Sequence, residues 1–463
     1  MASRGAFSNR LGFVLAAAGS AVGLGNIWKF PFEVEAGGGA AFVLLYLIFC
    51  FLLCFPVMVT EVAIGRKTQK NPVGAFATLG FKNWKIVGIL GVLAGVVILS
   101  FYNVVAGWAF GYFLEMIQGN FQIGSEFGGF VSNVGKVGLY GVVFMAVTAY
   151  IVSRGVSAGI ERAATILMPT LIIMIVGLAV YAFTLPNAMT GVKYYLVPDF
   201  SELNLKVIGG ALRQAFFSLS LGMGALITYG SYLSRKENIV SSAAYITMFD
   251  VGIAFLAGLM MFPLVAYNTA GDMSDIQGGA GLIFVTLPQV FESLGPILGI
   301  VIGSLFFLLL SFAALTSTVS LLEVPVSYVV DEYDIDRKKG VIISALVIFV
   351  AGLPSLVANG YSEFFSNFIT YVGAESATDF MTFFGHLADI LLLFGGCLIV
   401  FFAAHIWKKH NLNEELSSGY EGYQGSFTRK YLDFTITYLC PIVLAVLFVL
   451  VVLSNFFGIA LIN

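Results

Sequence analysis

The chain alternates long apolar runs with short polar connections, and its charged residues gather at the ends of the runs instead of along one face. Segments that are apolar on every side predict membrane-spanning helices, not amphipathic surface helices. Each run is long enough for a crossing, which takes about 20 residues. Eleven spans are expected, near residues 11–32, 40–64, 85–118, 137–153, 162–184, 207–232, 241–268, 295–330, 341–358, 380–407 and 431–460. The polar stretch from Lys408 to Lys430 reads as a connection on one side of the membrane. Residues 187–206 and 268–281 read as loops on the other. No linker separates domains, so residues 1–463 read as one transmembrane domain.

Two spans interrupt their own pattern. In the first, the uniformly apolar stretch from Leu11 to Ala18 gives way to Gly19-Ser-Ala-Val-Gly-Leu-Gly-Asn-Ile-Trp-Lys-Phe-Pro31. In the sixth, Gly222-Met-Gly224 follows Ser218 and Ser220. Backbone groups freed in hydrocarbon have no water to bind, so a broken helix survives only where it lines a cavity or holds a ligand. Its carbonyls can coordinate a cation and its amides a carboxylate. Close helix packing also uses glycine, but here the two breaks are matched and lead two groups of five spans. An odd number of crossings gives those groups opposite orientations. The pattern predicts inverted repeats at approximately 8–185 and 205–407, with 431–460 an additional span.

Composition agrees with the class. Hydrophobic residues make up 59% of the chain and charged residues 11%, with a mean hydropathy of +0.94, outside the range of soluble globular domains. If the amino terminus is cytoplasmic, only Lys29, Lys136, Lys193, Lys206 and Arg213 of the 23 Lys and Arg residues fall outside. That asymmetry predicts a cytoplasmic amino terminus and an external carboxyl terminus. Cys50, Cys54, Cys397 and Cys440 lie in apolar segments and read as packing residues. The short basic start runs directly into the interrupted helix, so no signal peptide is expected. The only histidines are His386, His405 and His410, without Cys/His metal spacing, so an enzyme is not expected. A channel would assemble its pore around symmetric subunits, and no signalling domain supports a substrate sensor. The expected partners are a small-molecule substrate and the lipid bilayer, without nucleic acid.

These residues resemble the neurotransmitter:sodium symporter family. The resemblance covers most of the chain. It is most specific in Arg10-Leu-Gly, the Gly19–Pro31 segment, Glu61 with Gly65-Arg66, Gly155 with Gly159-Ile-Glu-Arg162, Gln214 to Tyr229, and Leu315-Thr-Ser317. It implies an all-α protein of the LeuT fold, with broken first and sixth helices in two inverted five-helix repeats plus an eleventh span. It further implies sodium-coupled uptake by alternating access in a bacterial inner (cell) membrane, with two sodium ions. One ion would meet Ala21, Asn26, Ser218 and Asp250 together with the substrate carboxylate. The other would meet carbonyls of Gly19, Val22 and Ala313 and the hydroxyls of Thr316 and Ser317. Read alone, Thr316 and Ser317 are hydroxyls bonding their own helix; facing a broken helix in a matching motif, they read as sodium ligands.

Asp250 departs from relatives that carry a neutral Asn there and take their negative charge from chloride or from an acid one turn later. One turn later this chain has Ala254. A carboxylate in the bilayer interior costs about 2.5–3.5 kcal/mol by insertion scales, a cost that a sodium ion beside it would offset. The expectation is chloride-independent transport, with Asp250 taking a proton when sodium leaves. The competing reading is an Asp at a helix end, solvated by a vestibule.

The resemblance also implies the substrate site. Amides of Leu24 and Gly25 and the Tyr102 hydroxyl would take the carboxylate. Carbonyls near Phe217 and the Ser220 hydroxyl would take the amino group. Ser20, Ile98, Tyr102, Phe217, Met223, Ser317 and Leu321 would line the side-chain pocket. With no full charge among them, charged side chains are penalised, and a small, neutral, mostly apolar amino acid is expected. A β- or γ-amino acid, betaine or amino-sulfonate is the alternative. Lys29 stands where the family usually has Arg at the outer gate, and Asp379 is its expected partner. Arg4 and Asp331 match the inner-gate pair, supported by Tyr232 and Phe7. Glu61, at membrane depth, is expected to accept bonds from the broken backbone of spans one and six.

Overall fold

The computed structural model describes residues 5–273, 280–372, 374 and 376–457. Among them nine helices are long and apolar enough to cross a membrane. They are Ala40–Thr68 (span 2), Lys82–Ile117 (span 3), Val134–Ser153 (span 4), Val156–Ala182 (span 5), Ile239–Asn268 (span 7), Pro296–Tyr333 (span 8), Arg337–Val357 (span 9), Phe380–Ile406 (span 10) and Phe427–Phe457 (span 11). The remaining two are broken. Span 1 is Arg10–Ala21 followed by Gly25–Ala36 at a bend of 49°. Span 6 is Leu205–Ser218 followed by Ala225–Gly230. Among the described residues the only β pairing is an isolated bridge between Ile369 and Thr378.

The hydrophobic pattern placed the spans and erred at their ends and in the connections. Span 5 begins at Val156 through a π turn, a continuation that the polar residues around it concealed. The segment after residue 268, expected as a loop up to residue 281, is followed by an apolar helix at Leu282–Ser293. At 12 residues that helix is about 18 Å long, too short to cross a bilayer, so no span pattern marks it. It is nevertheless deeply packed. Leu282, Phe284, Leu287 and Phe291 are fully buried, and Phe284 meets Trp28, Trp108, Tyr112 and Phe127 at ring-centroid distances of 5.0–6.1 Å. Tyr112 ties it down by donating to the Phe284 carbonyl at 2.9 Å. A further helix, Ala188–Leu196, stands in the 187–206 loop.

The two breaks form for local reasons. In span 1 the helix ends at Ala21, and Val22 adopts extended dihedrals (φ −72°, ψ 107°) before a π turn over Gly25–Lys29. A Cβ on Gly23 would lie 2.2 Å from Ser317 Oγ, so only glycine lets span 8 close against the unwound backbone. In span 6 the chain leaves the helix at Leu219 and turns through Ser220, Gly222 and Gly224 at φ of 55°, 79° and 76°. Gly222 also lies against span 10, where a Cβ would come within 2.1 Å of the Leu392 carbonyl oxygen. The breaks face each other, and span 8 presents Thr316, Ser317 and Ser320 to them.

Candidate functional site

The freed carbonyls of span 1 are met by hydroxyls from elsewhere in the chain. Thr316 Oγ1 donates within reach of Val22 O at 3.2 Å and Ala313 O at 3.0 Å. Ser317 Oγ lies 3.4 Å from both Ser20 O and Val22 O, and Ser220 Oγ donates to Ser20 O at 2.9 Å. A Cβ on Gly19 would come within 3.3 Å of Thr316 Cβ, placing that turn against span 8. Gly19, Val22, Ala313, Thr316 and Ser317 thus come together as an oxygen-rich group containing no charged side chain.

A second group forms on the other side of the break around Asp250, which is fully buried in the middle of span 7. Asn26 donates Nδ2 to Asp250 Oδ1 at 2.7 Å and to Asp250 O at 3.1 Å. The Ser218 hydroxyl sits 2.9–3.0 Å from both carboxylate oxygens. Tyr46 of span 2 lies 3.1 Å from Asp250 Oδ2 and from Ser218 Oγ. Asn26 turns its Oδ1 to the Gly23 amide at 3.1 Å. Among the described residues every side chain bonded to this carboxylate is neutral. The reading of Asp250 as a solvated helix end is therefore overturned, because a residue mid-helix with no exposed surface has no vestibule to hydrate it.

Between these groups lies a small cavity of about 20 Å³, lined by Ser20, Ala21, Gly23, Gly25, Ile98, Tyr102, Phe217, Ser220, Met223, Ser317 and Leu321. All the residues expected around the substrate side chain meet here. Leu24 donates its amide to the Tyr102 hydroxyl at 2.8 Å. Gln214, one turn before the break in span 6, donates to Gly25 O at 2.9 Å. Phe217 is shared with a larger cavity of about 430 Å³ on the Lys29 side, which also touches Leu24, Gly25 and Tyr102. The Phe217 ring stands between the two.

The expected outer pair is corrected. Asp379 caps the start of span 10, accepting from the Thr382 amide at 2.9 Å and the Thr382 hydroxyl at 2.6 Å. Lys29 Nζ instead lies 4.0 Å from Asp389 Oδ1 and 4.2 Å from the Phe217 ring centre. The two acids are ten positions apart, about 15 Å along the helix axis, and the deeper one is the acid that reaches Lys29.

The Phe7 side is packed shut. Phe7 donates its amide to Tyr232 O at 3.2 Å, and its ring packs edge-on against Phe13, Tyr229 and Tyr232. Tyr232 donates to Glu323 Oε1 at 2.7 Å, and Arg337 holds the same carboxylate through Nη1 at 3.1 Å and Nη2 at 2.6 Å. Asp331 accepts from the Asn71 amide at 3.0 Å. Arg4, its expected partner, lies outside the described residues. Glu61 accepts from the Gly222 amide at 2.7 Å, and among the described residues its Oε2 has no hydrogen-bond partner. Its bond goes to the span 6 break and none joins it to span 1, because the Gly222 turn is what faces span 2.

Sequence reasoning missed Tyr46, Ser320, Glu323, Arg337 and Asp389. For the two acids the signal was present. Asp389 is the only acid between residues 380 and 406 and Glu323 interrupts an apolar run, so the cost of an intramembrane carboxylate applies to them as it does to Glu61.

Nearly all of the chain matches known transporters. The model of the Sodium:neurotransmitter symporter family matches residues 4–125 and 122–456. The uncharacterized sodium-dependent transporter YhdH of Bacillus subtilis is 34% identical over 453 residues, 96% of each protein. An uncharacterized sodium-dependent transporter of Methanocaldococcus jannaschii is 37% identical over 370 residues, 75% of this chain and 74% of that protein. The crystal structure of MhsT in complex with L-phenylalanine aligns with a TM-score of 0.86 at 38% identity, covering 96% of this chain and 99% of MhsT. MhsT has the LeuT fold, and so has this protein. The chain belongs to the sodium:neurotransmitter symporter family of sodium-dependent, membrane-spanning transporters.

Proposed function

We propose that this protein couples the entry of two sodium ions to the import of a small, neutral, mostly apolar amino acid by alternating access, without chloride. The observation that carries this reading is the Asp250 carboxylate, fully buried beside both helix breaks and bonded, among the described residues, to the neutral side chains of Asn26, Ser218 and Tyr46. An intramembrane carboxylate with neutral partners is expensive, and a monovalent cation held by Ala21, Asn26, Ser218 and Asp250 would offset that cost with hard oxygen donors. The second ion would sit among the carbonyl oxygens of Gly19, Val22 and Ala313 and the hydroxyl oxygens of Thr316 and Ser317, whose hydrogens would turn away from it. The substrate carboxylate would displace the Tyr102 oxygen from the Leu24 amide, reach the Gly25 amide and complete the first ion's shell. Binding of ion and solute is then one event. Because Asp250 brings its own negative charge, chloride has no role at that position, and a proton can take the place of sodium once the ion leaves.

Lys29, Asp389 and Phe217 form the outer gate in this reading, and Phe7, Tyr232, Asp331, Glu323 and Arg337 the inner one. Residues 8–185 and 205–407 are the inverted halves, residues 431–460 stand outside them, and the amino terminus faces the cytoplasm of a bacterial cell membrane. The bound L-phenylalanine of MhsT supports an amino acid as the solute. The test is uptake of labelled neutral amino acids into proteoliposomes. An inward sodium gradient is expected to drive accumulation that replacement by potassium abolishes. Equal uptake in potassium would overturn the reading.

A further inference from the structure

Resting on the two-sodium reading above, we propose that Glu161 is a latch on the Phe7 side of the molecule. While it holds Ser8, the first half of span 1 stays seated against span 8, and its release lets the ion beside Thr316 leave inward.

Two motifs that the ion and solute sites leave unused, Arg10-Leu-Gly12 and the segment from Gly155 to Arg162, meet at this point. Gly155 turns at a φ of 88°, and span 5 opens with a π turn over Val156–Glu161. Gly159 packs so closely on span 4 that a Cβ would lie 2.1 Å from the Ile151 carbonyl oxygen. Glu161 is thereby brought to the start of span 1, where a Cβ on Gly12 would lie 2.0 Å from its Oε1. Only glycine at position 12 leaves room for that carboxylate. Ser8 donates its amide to Glu161 Oε2 at 2.9 Å and its hydroxyl to the same oxygen at 3.0 Å. The Ser157 hydroxyl lies 2.7 Å from that of Ser8. Glu161 is buried, so these bonds offset the desolvation of its charge, and the helix N-terminus beside it favours an anion.

The placement makes a lever. Arg10–Ala21 is one helix, engaged by Glu161 at its start. In its last turn Gly19 lies against Thr316, and Val22 just beyond offers its carbonyl to the Thr316 hydroxyl. Gly12 and Gly19 are seven positions apart, about 10 Å along the axis. An ion in the Thr316 group needs Val22 and Thr316 close together, so a first half swung away from spans 5 and 8 dismantles the group. Latch and sodium favour the same closed arrangement, and weakening either shifts the population toward the open one.

Glu161→Gln keeps the shape and removes the charge, a difference of about tenfold in the closed-to-open ratio. The test reads that ratio in the purified full chain as the alkylation rate of the thiol in Ser327→Cys. Ser327 is buried on span 8, one turn beyond Glu323, and its hydroxyl bonds Val324 O of its own helix. In potassium, adding Glu161→Gln is expected to speed alkylation about tenfold, and adding Ser8→Ala, which keeps the amide donor, about threefold. Saturating sodium is expected to suppress alkylation in every variant. Gly12→Ala should match Glu161→Gln yet add nothing to Glu161→Ala, since its methyl acts by displacing the carboxylate. Rates within twofold of the parent in Glu161→Gln and Ser8→Ala overturn the proposal, and if one of them does not fold the other decides. A rise that sodium does not suppress also overturns it, because that marks general loosening. Failure of sodium to protect the thiol in Ser327→Cys alone would remove the underlying two-sodium reading instead.

Discussion

The two oxygen-rich groups flanking the break in span 1 differ in one respect that governs everything else about them. The group around Thr316 holds only carbonyls and hydroxyls, whereas the group around Asp250 holds a buried carboxylate. A neutral group can bond to itself, as Thr316 does by donating to Ala313 and Val22, and so carries little penalty when no cation is present. A buried carboxylate with neutral partners carries a penalty until a positive charge arrives. The Asp250 side should therefore set the ionic requirement of the cycle, while the Thr316 side should tune affinity.

Substitutions should expose that ranking. Asp250→Ala removes the only charge in either group and is expected to abolish sodium-driven uptake, at least a hundredfold in initial rate. Near-normal uptake by a well-folded Asp250→Ala variant would contradict the comparison. Thr316→Ala removes one neutral donor, worth on the order of 1–1.5 kcal/mol. The apparent sodium affinity should fall about tenfold, with maximal uptake retained at high sodium and most of the affinity restored in Thr316→Ser. A smaller effect still is expected at the Lys29 side. Lys29 and Asp389 are 4.0 Å apart at a partly exposed position, where an ion pair contributes about 0–1 kcal/mol. Asp389→Asn should change substrate affinity by a fewfold and Asp379→Asn by less, since Asp379 is engaged at its own helix terminus. A larger effect from Asp379 would restore it as the gating acid.

Much of this arrangement was legible in the sequence, and the reasons differ by region. Helix breaks show themselves because glycine and amide side chains in an apolar run contradict the run, so Gly19 to Asn26 and Ser218 to Gly224 stand out. Span positions follow from bulk hydropathy. What stayed hidden depends on three-dimensional register. Asp379 and Asp389 lie on one helix, and only the placement of span 10 in the bundle, against spans 3 and 11, decides which meets Lys29. The Leu282–Ser293 helix is too short to read as a span and too apolar to read as a loop. Tyr46 sits in an unbroken apolar run, where an aromatic residue carries no sign that its hydroxyl reaches Asp250. A serine chain from Ser20 through Ser320 to Ser317 joins residues 300 positions apart, a juxtaposition that no local pattern encodes.

If Asp250 supplies the negative charge that the ion site requires, transport needs no external anion. The direct measurement is sodium-driven uptake by the unmodified protein in chloride and in gluconate. Initial rates equal within about twofold are expected. A tenfold or greater loss in gluconate would show that an external anion supplies the charge, and would contradict it.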